Sequence, residues 1–234
     1  RQQTIQDRIG QVELLISPRS FLQAQNDGAR LLYETARDWA GLDGTQDVLD
    51  LYCGIGGIAL TLAPQSAQVL GIELNKEAVA DARRNARLNN ARNCRFEAAD
   101  VLELLDDLLE DECSFDVVVL NPPRKGCDPK VLDKVAQLAP QRIVSVSCSP
   151  QTLARDLDIL GSKGYRTVRI QLHIADPLAP PRLTIHHHLG PQHAAIGAKQ
   201  VRQVVAGRVV VQPANENLPP VAAVATARPP APHL

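Results

Sequence analysis

The chain has 234 residues, enough for one α/β domain with flanking pieces. Its composition is ordinary, with 44% hydrophobic residues, 22% charged residues and a formal net charge of −1, so nothing global marks a nucleic-acid partner, although a local basic patch remains compatible with it. No run is long and apolar enough to span a bilayer and no signal peptide opens the chain; five cysteines without paired metal-ligand spacing read as reduced thiols of a cytoplasmic protein with no metal site.

In chain order, the first helical stretch is Gly28–Ala40. Val48–Tyr52 is a short apolar strand that runs into the glycine-rich loop Asp50-Leu51-Tyr52-Cys53-Gly54-Ile55-Gly56-Gly57. Val69–Glu73 is a second strand. A helix follows over Asn75–Asn89, with Ala78, Val79, Ala82 and Ala86 at helical spacing. Cys94–Glu97 is a weak third strand, followed by a helix over Val101–Glu110. Asp116–Leu120 is the strongest strand: its β-branched run fits a parallel strand buried on both faces. A helix over Lys130–Leu138, a strand over Arg142–Ser147, a helix over Pro150–Lys163 and a strand over Tyr165–His173 complete the alternation. Strands alternating with helices imply a doubly wound, mostly parallel sheet.

The remainder differs. Residues 177–234 hold 10 of the 17 prolines, 5 of the 6 histidines, one acid (Glu216) and no Phe, Trp or Tyr. Residues 1–176 carry a net −5 and the tail +4. Such Pro/Ala/Val-rich sequence buries little surface and is expected to be disordered. The chain also starts at Arg1 and contains no Met, which reads as a fragment or processed product.

On a doubly wound sheet, ligands bind outside the carboxyl ends of the strands. Gly54, Glu73, Asp100, Asn121 and Cys148 each follow a strand and so converge on one rim. Gly54 lets the backbone approach a ligand where a Cβ would clash, though a tight strand-to-helix turn is the plainer reading of a glycine cluster. Glu73 can accept both hydroxyls of a ribose. Asp100 can accept from an adenine amino group, or simply cap the next helix; the two readings weigh equally. The pattern D-x-x-x-G-x-G-G, with an acid after each of the next two strands, resembles the Rossmann-like class I S-adenosylmethionine-dependent methyltransferases.

Asn121-Pro122-Pro123-Arg124 follows the strongest strand. Its prolines fix φ and hold Asn121 at the strand tip. In amino-methylating enzymes the comparable fourth residue is aromatic and stacks on the target base; Arg124 and Lys125 suit phosphate instead. Cys148, in Ser147-Cys148-Ser149-Pro150, is the candidate nucleophile. Most lone cysteines are inert buried hydrophobes, but this one precedes a helix and faces the same rim as Arg124 and Lys125, a setting that suits a thiolate.

Phe21-x-Gln23, the D-L-Y-C-G-I-G-G loop, Gly71-Ile72-Glu73, Asn121-Pro122-Pro123-Arg124-Lys125-Gly126 and Ser145-Val146-Ser147-Cys148-x-x-x-Thr152 occur in that order. Together they resemble the RNA uracil-C5 methyltransferases, which make 5-methyluridine in ribosomal and transfer RNA, over about residues 12–176. The resemblance implies S-adenosylmethionine as cofactor, contacted by Gln23, Tyr52, Gly54, Glu73, Asp100 and Asn121, and Cys148 as the nucleophile that adds to C6 of uracil. It implies an RNA substrate, no membrane and a monomer. Asn rather than Asp before Pro-Pro is similar to the branch acting on 23S ribosomal RNA.

The resemblance breaks at two places. Relatives carry a β-barrel and, in many members, a cysteine-ligated iron–sulfur cluster before this domain; residues 1–20 have room only for the end of such a region. Relatives also place a glutamate base in D-x-F-P-x-T-x-H-x-E after the sixth strand. Here only Asp176 fits that start, no acid follows until Glu216, and the final antiparallel strand is unrecognised, Arg208–Gln212 being the one distant candidate. The expected division is therefore a preceding region over 1–20, a methyltransferase domain over 21–176 and a disordered or out-of-frame tail over 177–234. Translating the encoding DNA one base out of register after codon 176 tests the last point: without a family-like ending the frame idea fails. Two other readings stay open. One is an amino-group methyltransferase built on Asn121-Pro122-Pro123. The other is an inactive cofactor- or RNA-binding remnant.

Overall fold

The computed structural model describes residues 4–17, 26–173 and 182–189. It opens with a hairpin, β1 (Ile5–Ile9) and β2 (Val12–Ile16), joined through Gly10 at φ +60°. There follow α1 (Asn26–Ala40), β3 (Asp47–Leu51), α2 (Gly57–Leu62), β4 (Gln68–Glu73), α3 (Lys76–Leu88), β5 (Cys94–Ala98), α4 (Val101–Glu110), β6 (Val117–Leu120), α5 (Pro129–Gln137), β7 (Arg142–Ser147), α6 (Pro150–Ser162), β8 (Tyr165–His173) and β9 (Arg182–Leu189).

The main sheet has the order β5-β4-β3-β6-β7-β9-β8. Its first five strands pair in parallel, and β9 runs antiparallel to both β7 and β8. Successive side chains of a strand point to opposite faces, and the core divides accordingly. Val48, Val117, Val119, Val144 and Val146 pack with the hairpin, α1, α2 and α3. Leu49, Leu51, Val118, Leu120 and Ile143 pack with α4, α5 and Leu160 of α6. This two-sided burial is why the strands read as continuous apolar runs. Order reverses between β3 and β6, so the crevice above their carboxyl ends is the topological switch point.

The hairpin is held to α3 by side chains that imitate a strand edge. Asn89 Oδ1 accepts from Glu13 N at 2.9 Å and its Nδ2 donates to Glu13 O at 2.7 Å. One helical turn earlier, Asn85 makes the same pair with Leu15 N (2.7 Å) and Leu15 O (3.2 Å). A turn earlier again, Asp81 accepts from Ser17 N at 2.8 Å and Ser17 Oγ at 2.9 Å. Four helical residues rise about 6 Å and two strand residues nearly 7 Å, so the two periods match over three rungs.

Two elements depart from the sequence expectation. α2 has no counterpart among the expected helices, because G-I-A-L-T-L is six largely apolar residues, too short to show a period. The final antiparallel strand is present: Arg182–Leu189, inside the segment expected to be disordered, joins the sheet as β9. Its signal was hidden by the prolines just before it and by the run His186-His187-His188, which no strand propensity favours. Arg208–Gln212 and the rest of the expected tail lie outside the described residues. Among the described residues no helix is long and apolar enough to cross a membrane.

Candidate functional site

A cavity of about 840 Å³ opens at the switch point. It is lined by Tyr52, Gly54, Glu73, Asp100, Asn121 and Cys148, so six of the seven expected site residues share one space. The seventh, Gln23, lies outside the described residues.

Tyr52 follows β3 at φ +64°, a left-handed conformation that a bulky residue rarely adopts. Its hydroxyl sits well above the ordinary tyrosine range, chiefly through burial and then through the nearby Cys127, Asp100, Asp128 and Asp156. Cys53 N donates to Ile72 O at 3.0 Å and Gly56 N to Cys53 O at 2.9 Å, closing a tight turn. Gly54 stands in that turn at φ +56°, and no atom lies within 4 Å of where its Cβ would be. Its N–H donates to Glu73 Oε2 at 3.2 Å, while Glu73 Oε1 accepts from Asn75 N at 2.8 Å. One carboxylate thus ties the glycine loop to the start of α3.

Asp100 is the N-cap of α4, accepting from Leu102 N at 2.8 Å and Glu103 N at 3.4 Å. Both bonds fall on Oδ1, so capping and a ligand contact through Oδ2 are compatible. Asn121 leaves β6 with its N–H on Leu51 O at 3.3 Å, and Pro122, Pro123, Arg124 and Lys125 continue along the cavity wall.

Cys148 is partly exposed between the end of β7 and the start of α6. Ser147 and Ser149 close round it: Ser149 N donates to Ser147 Oγ and Ser147 Oγ to Ser149 O, both at 3.1 Å. Ser149 then caps α6 through Thr152 N. Burial pushes Cys94 up to about 12 and Cys53 and Cys127 far above the usual thiol range, and Cys113 is exposed on the surface.

The residue that sequence reasoning missed is Asp50. It is fully buried at the cavity wall. Its Oδ2 accepts from Ala59 N at 3.1 Å, while Oδ1 has no partner. Burial lifts its carboxyl to about 7; the Ala59 N–H opposes this and the charge of Glu73 adds to it. The available signal was an acid inside the apolar run V-L-D-L of β3.

A doubly wound sheet with a glycine turn, an acid after the second strand and a deep crevice at the switch point defines a Rossmann-like methyltransferase domain. More narrowly, the chain belongs to the tRNA (uracil-5-)-methyltransferase family, whose model matches residues 11–176. It is 56% identical over 171 residues to an uncharacterized RNA methyltransferase of Geobacter sulfurreducens, covering 73% of this chain and 34% of that protein. It is 44% identical over 167 residues to one of Halalkalibacterium halodurans, covering 71% of this chain and 36% of the relative. The chain thus spans about a third of the length of these relatives. Among solved structures, the Pyrococcus abyssi tRNA (uracil-54, C5)-methyltransferase in complex with S-adenosyl-L-homocysteine superposes with a TM-score of 0.67 at 31% identity, over 80% of this chain and 44% of that one.

Proposed function

We propose that this chain is the catalytic domain of an RNA methyltransferase that transfers a methyl group from S-adenosylmethionine to C5 of a uridine through a covalent bond between Cys148 and C6. The observation that carries the reading is one cavity, in a chain of this family, holding both the ribose-type carboxylate Glu73 and the cysteine Cys148.

The residues present fit the cofactor. Glu73 suits the ribose hydroxyls and Asp100 Oδ2 a base amino group. The open flank of Gly54 admits close backbone approach. The orphaned Oδ1 of Asp50 is an acceptor in want of a donor, such as an ammonium group. When bound, S-adenosylmethionine supplies an electrophilic methyl group. Uracil C5 is a poor nucleophile. Addition of the Cys148 thiolate at C6 pushes electrons onto C5 and O4, giving an enolate that can take the methyl group. The uracil must leave any stack to reach the cavity, and Arg124 and Lys125 at the wall suit the phosphates beside it.

Release of Cys148 requires loss of the C5 proton. In the family a glutamate takes that proton; here only Asp176 matches the start of that stretch, and counting methyl groups transferred per chain measures whether the reaction turns over. The domain limit at Asp176 is supported by the family match, which ends at residue 176, while β9 extends the sheet itself to Leu189. Asn121 before Pro-Pro favours ribosomal RNA over transfer RNA, and a cytoplasmic monomer completes the reading.

The test is incubation with S-adenosylmethionine and RNA containing 5-fluorouridine. A gel-stable protein–RNA adduct supports the reading. Failure both to bind S-adenosylmethionine and to trap the RNA overturns it. Parallel trials with ribosomal and transfer RNA decide the substrate. Methyl transfer surviving in Cys148→Ala points instead to amino-group methylation at Asn121-Pro122-Pro123.

A further inference from the structure

The cavity wall formed by residues 121–126, with the buried Cys127 next to it, is gripped by the helix that follows Cys148. Thr152, Arg155 and Asp156 lie at i, i+3 and i+4 on α6 and so share one face. Thr152 Oγ1 shares its proton between Ser149 O at 3.2 Å and Arg124 O at 3.5 Å. Arg155 Nη2 donates to Cys127 O at 2.6 Å and Lys125 O at 3.4 Å. Asp156 Oδ2 accepts from Cys127 N at 3.0 Å. The pair is locked to itself, with Arg155 Nε and Nη2 donating to Asp156 Oδ1 at 2.9 and 2.6 Å. Gly126 passes between them at φ +77°, and a Cβ there would stand 2.7 Å from Arg155 Nη2 and 2.9 Å from Asp156 Oδ2.

Every group contacted on the loop is backbone. The grip therefore reads the path of the chain and leaves the side chains of Arg124 and Lys125 to the cavity. Parallel pairing of β6 with β7 ends at Leu120 and Ser145. Beyond that pair, Asn121–Pro123 and Val146–Cys148 run on without a shared ladder. The α6 contacts close the far end of this gap.

We propose that Arg155 and Asp156 are positioning residues: they clip the Asn121–Cys127 wall at a fixed distance from Cys148, so that the uridine held by the wall meets the thiolate. The inference rests on the reading of Cys148 as the nucleophile. Asp156 is buried, and burial raises its carboxyl while Cys127 N–H and Arg155 hold it down, as befits a carboxylate that serves two donors. An amide in its place has one oxygen for two donors, so Asp156→Asn must break one arm of the clip. Arg155 is partly exposed, and Arg155→Ala removes the other arm while leaving the buried Asp156 carboxylate its bond from Cys127 N.

Misplacing reacting atoms by about 1 Å costs on the order of 100-fold in rate. Three measurements on the full chain test the clip: hydrogen–deuterium exchange over residues 124–127, affinity for S-adenosylhomocysteine, and the rate of adduct formation with saturating 5-fluorouridine RNA. Asp156→Asn and Arg155→Ala are expected to exchange faster in the loop and to trap roughly 10- to 100-fold more slowly. Cofactor-product affinity and the RNA concentration giving half-maximal rate should stay within about twofold, and Arg155→Lys should recover part of the rate. Three results overturn the proposal: trapping within twofold of the unsubstituted chain, unchanged exchange at the loop, or a loss of trapping matched by an equal loss of cofactor-product affinity. If the unsubstituted chain forms no adduct, the nucleophile reading itself fails, and the clip with it, whatever the exchange shows.

Discussion

The two halves of the crevice are built differently. On the β3–β4–β5 side, several polar groups are fixed by bonds short in sequence, beside the longer reaches of Glu73 to Gly54 N and Asn85 to Ile55 O. Asp100 caps the helix it precedes, Glu73 accepts from Asn75 two residues on, and the glycine turn closes on Cys53. On the β6–β7 side the wall is held by bonds between residues 28 to 30 apart, from Thr152, Arg155 and Asp156 to the loop before α5. The cofactor side is thus an assembly of strand-end and helix-start modules. The side carrying Cys148 depends on register between two distant segments, and on the proposed reading those long-range bonds place its thiol.

The comparison can be broken most sharply at Cys148. Cys148→Ala should abolish trapping of 5-fluorouridine RNA while leaving S-adenosylhomocysteine affinity within about twofold, since cofactor contacts on the opposite side are untouched; loss of that affinity, seen by calorimetry, would make the halves one unit. Next comes Asp50. Its folded-state value of about 7 lies above the ordinary 3.8, so between those pH values the folded chain holds more protons than the unfolded one. Stability conferred by the protonated carboxyl is therefore full below about pH 4 and is lost as pH rises through about 7, by something of the order of a few kcal/mol. Asp50→Asn should flatten that decline in urea titrations from pH 5 to 8; parallel slopes would show that Asp50 ionises like an exposed carboxylate.

A smaller effect is expected at Asn85. Its Nδ2 donates to Leu15 O and also to Ile55 O at 3.1 Å, joining the hairpin to the glycine loop. Asn85→Ala leaves buried polar groups unpaired and should cost about 1–3 kcal/mol in urea unfolding. An unchanged midpoint would mean that the hairpin seam is not holding the cofactor side. Smallest is Glu73→Gln, which keeps one acceptor for Gly54 N or Asn75 N but removes the charge. A roughly tenfold loss of S-adenosylhomocysteine affinity, about 1.4 kcal/mol, is expected; unchanged affinity would remove Glu73 from the cofactor contacts.

Much of the fold was legible because its signals are local. Val117–Leu120 is β-branched and buried on both faces, and α4 begins and ends where its cap and apolar spacing say. The helix over 75–89 was bracketed by the asparagines that cap it. Convergence of strand ends on one rim followed from the parallel order alone. What escaped was non-local or atypical: the short buried α2, the histidine-rich β9, the hairpin's seam on α3 across some 64 to 76 residues, and the clip on the Asn121–Cys127 wall.

The sequence by itself determined which residue types stand at the strand ends, since period, β-branching and capping act over a few residues. Only the tertiary structure decided that Asp50 loses its water, that Asn85 reaches Ile55, and that Arg155 and Asp156 hold the wall opposite Cys148. Those properties depend on which groups exclude solvent from, or come within hydrogen-bond reach of, one another, and that is settled by packing between segments far apart in the chain.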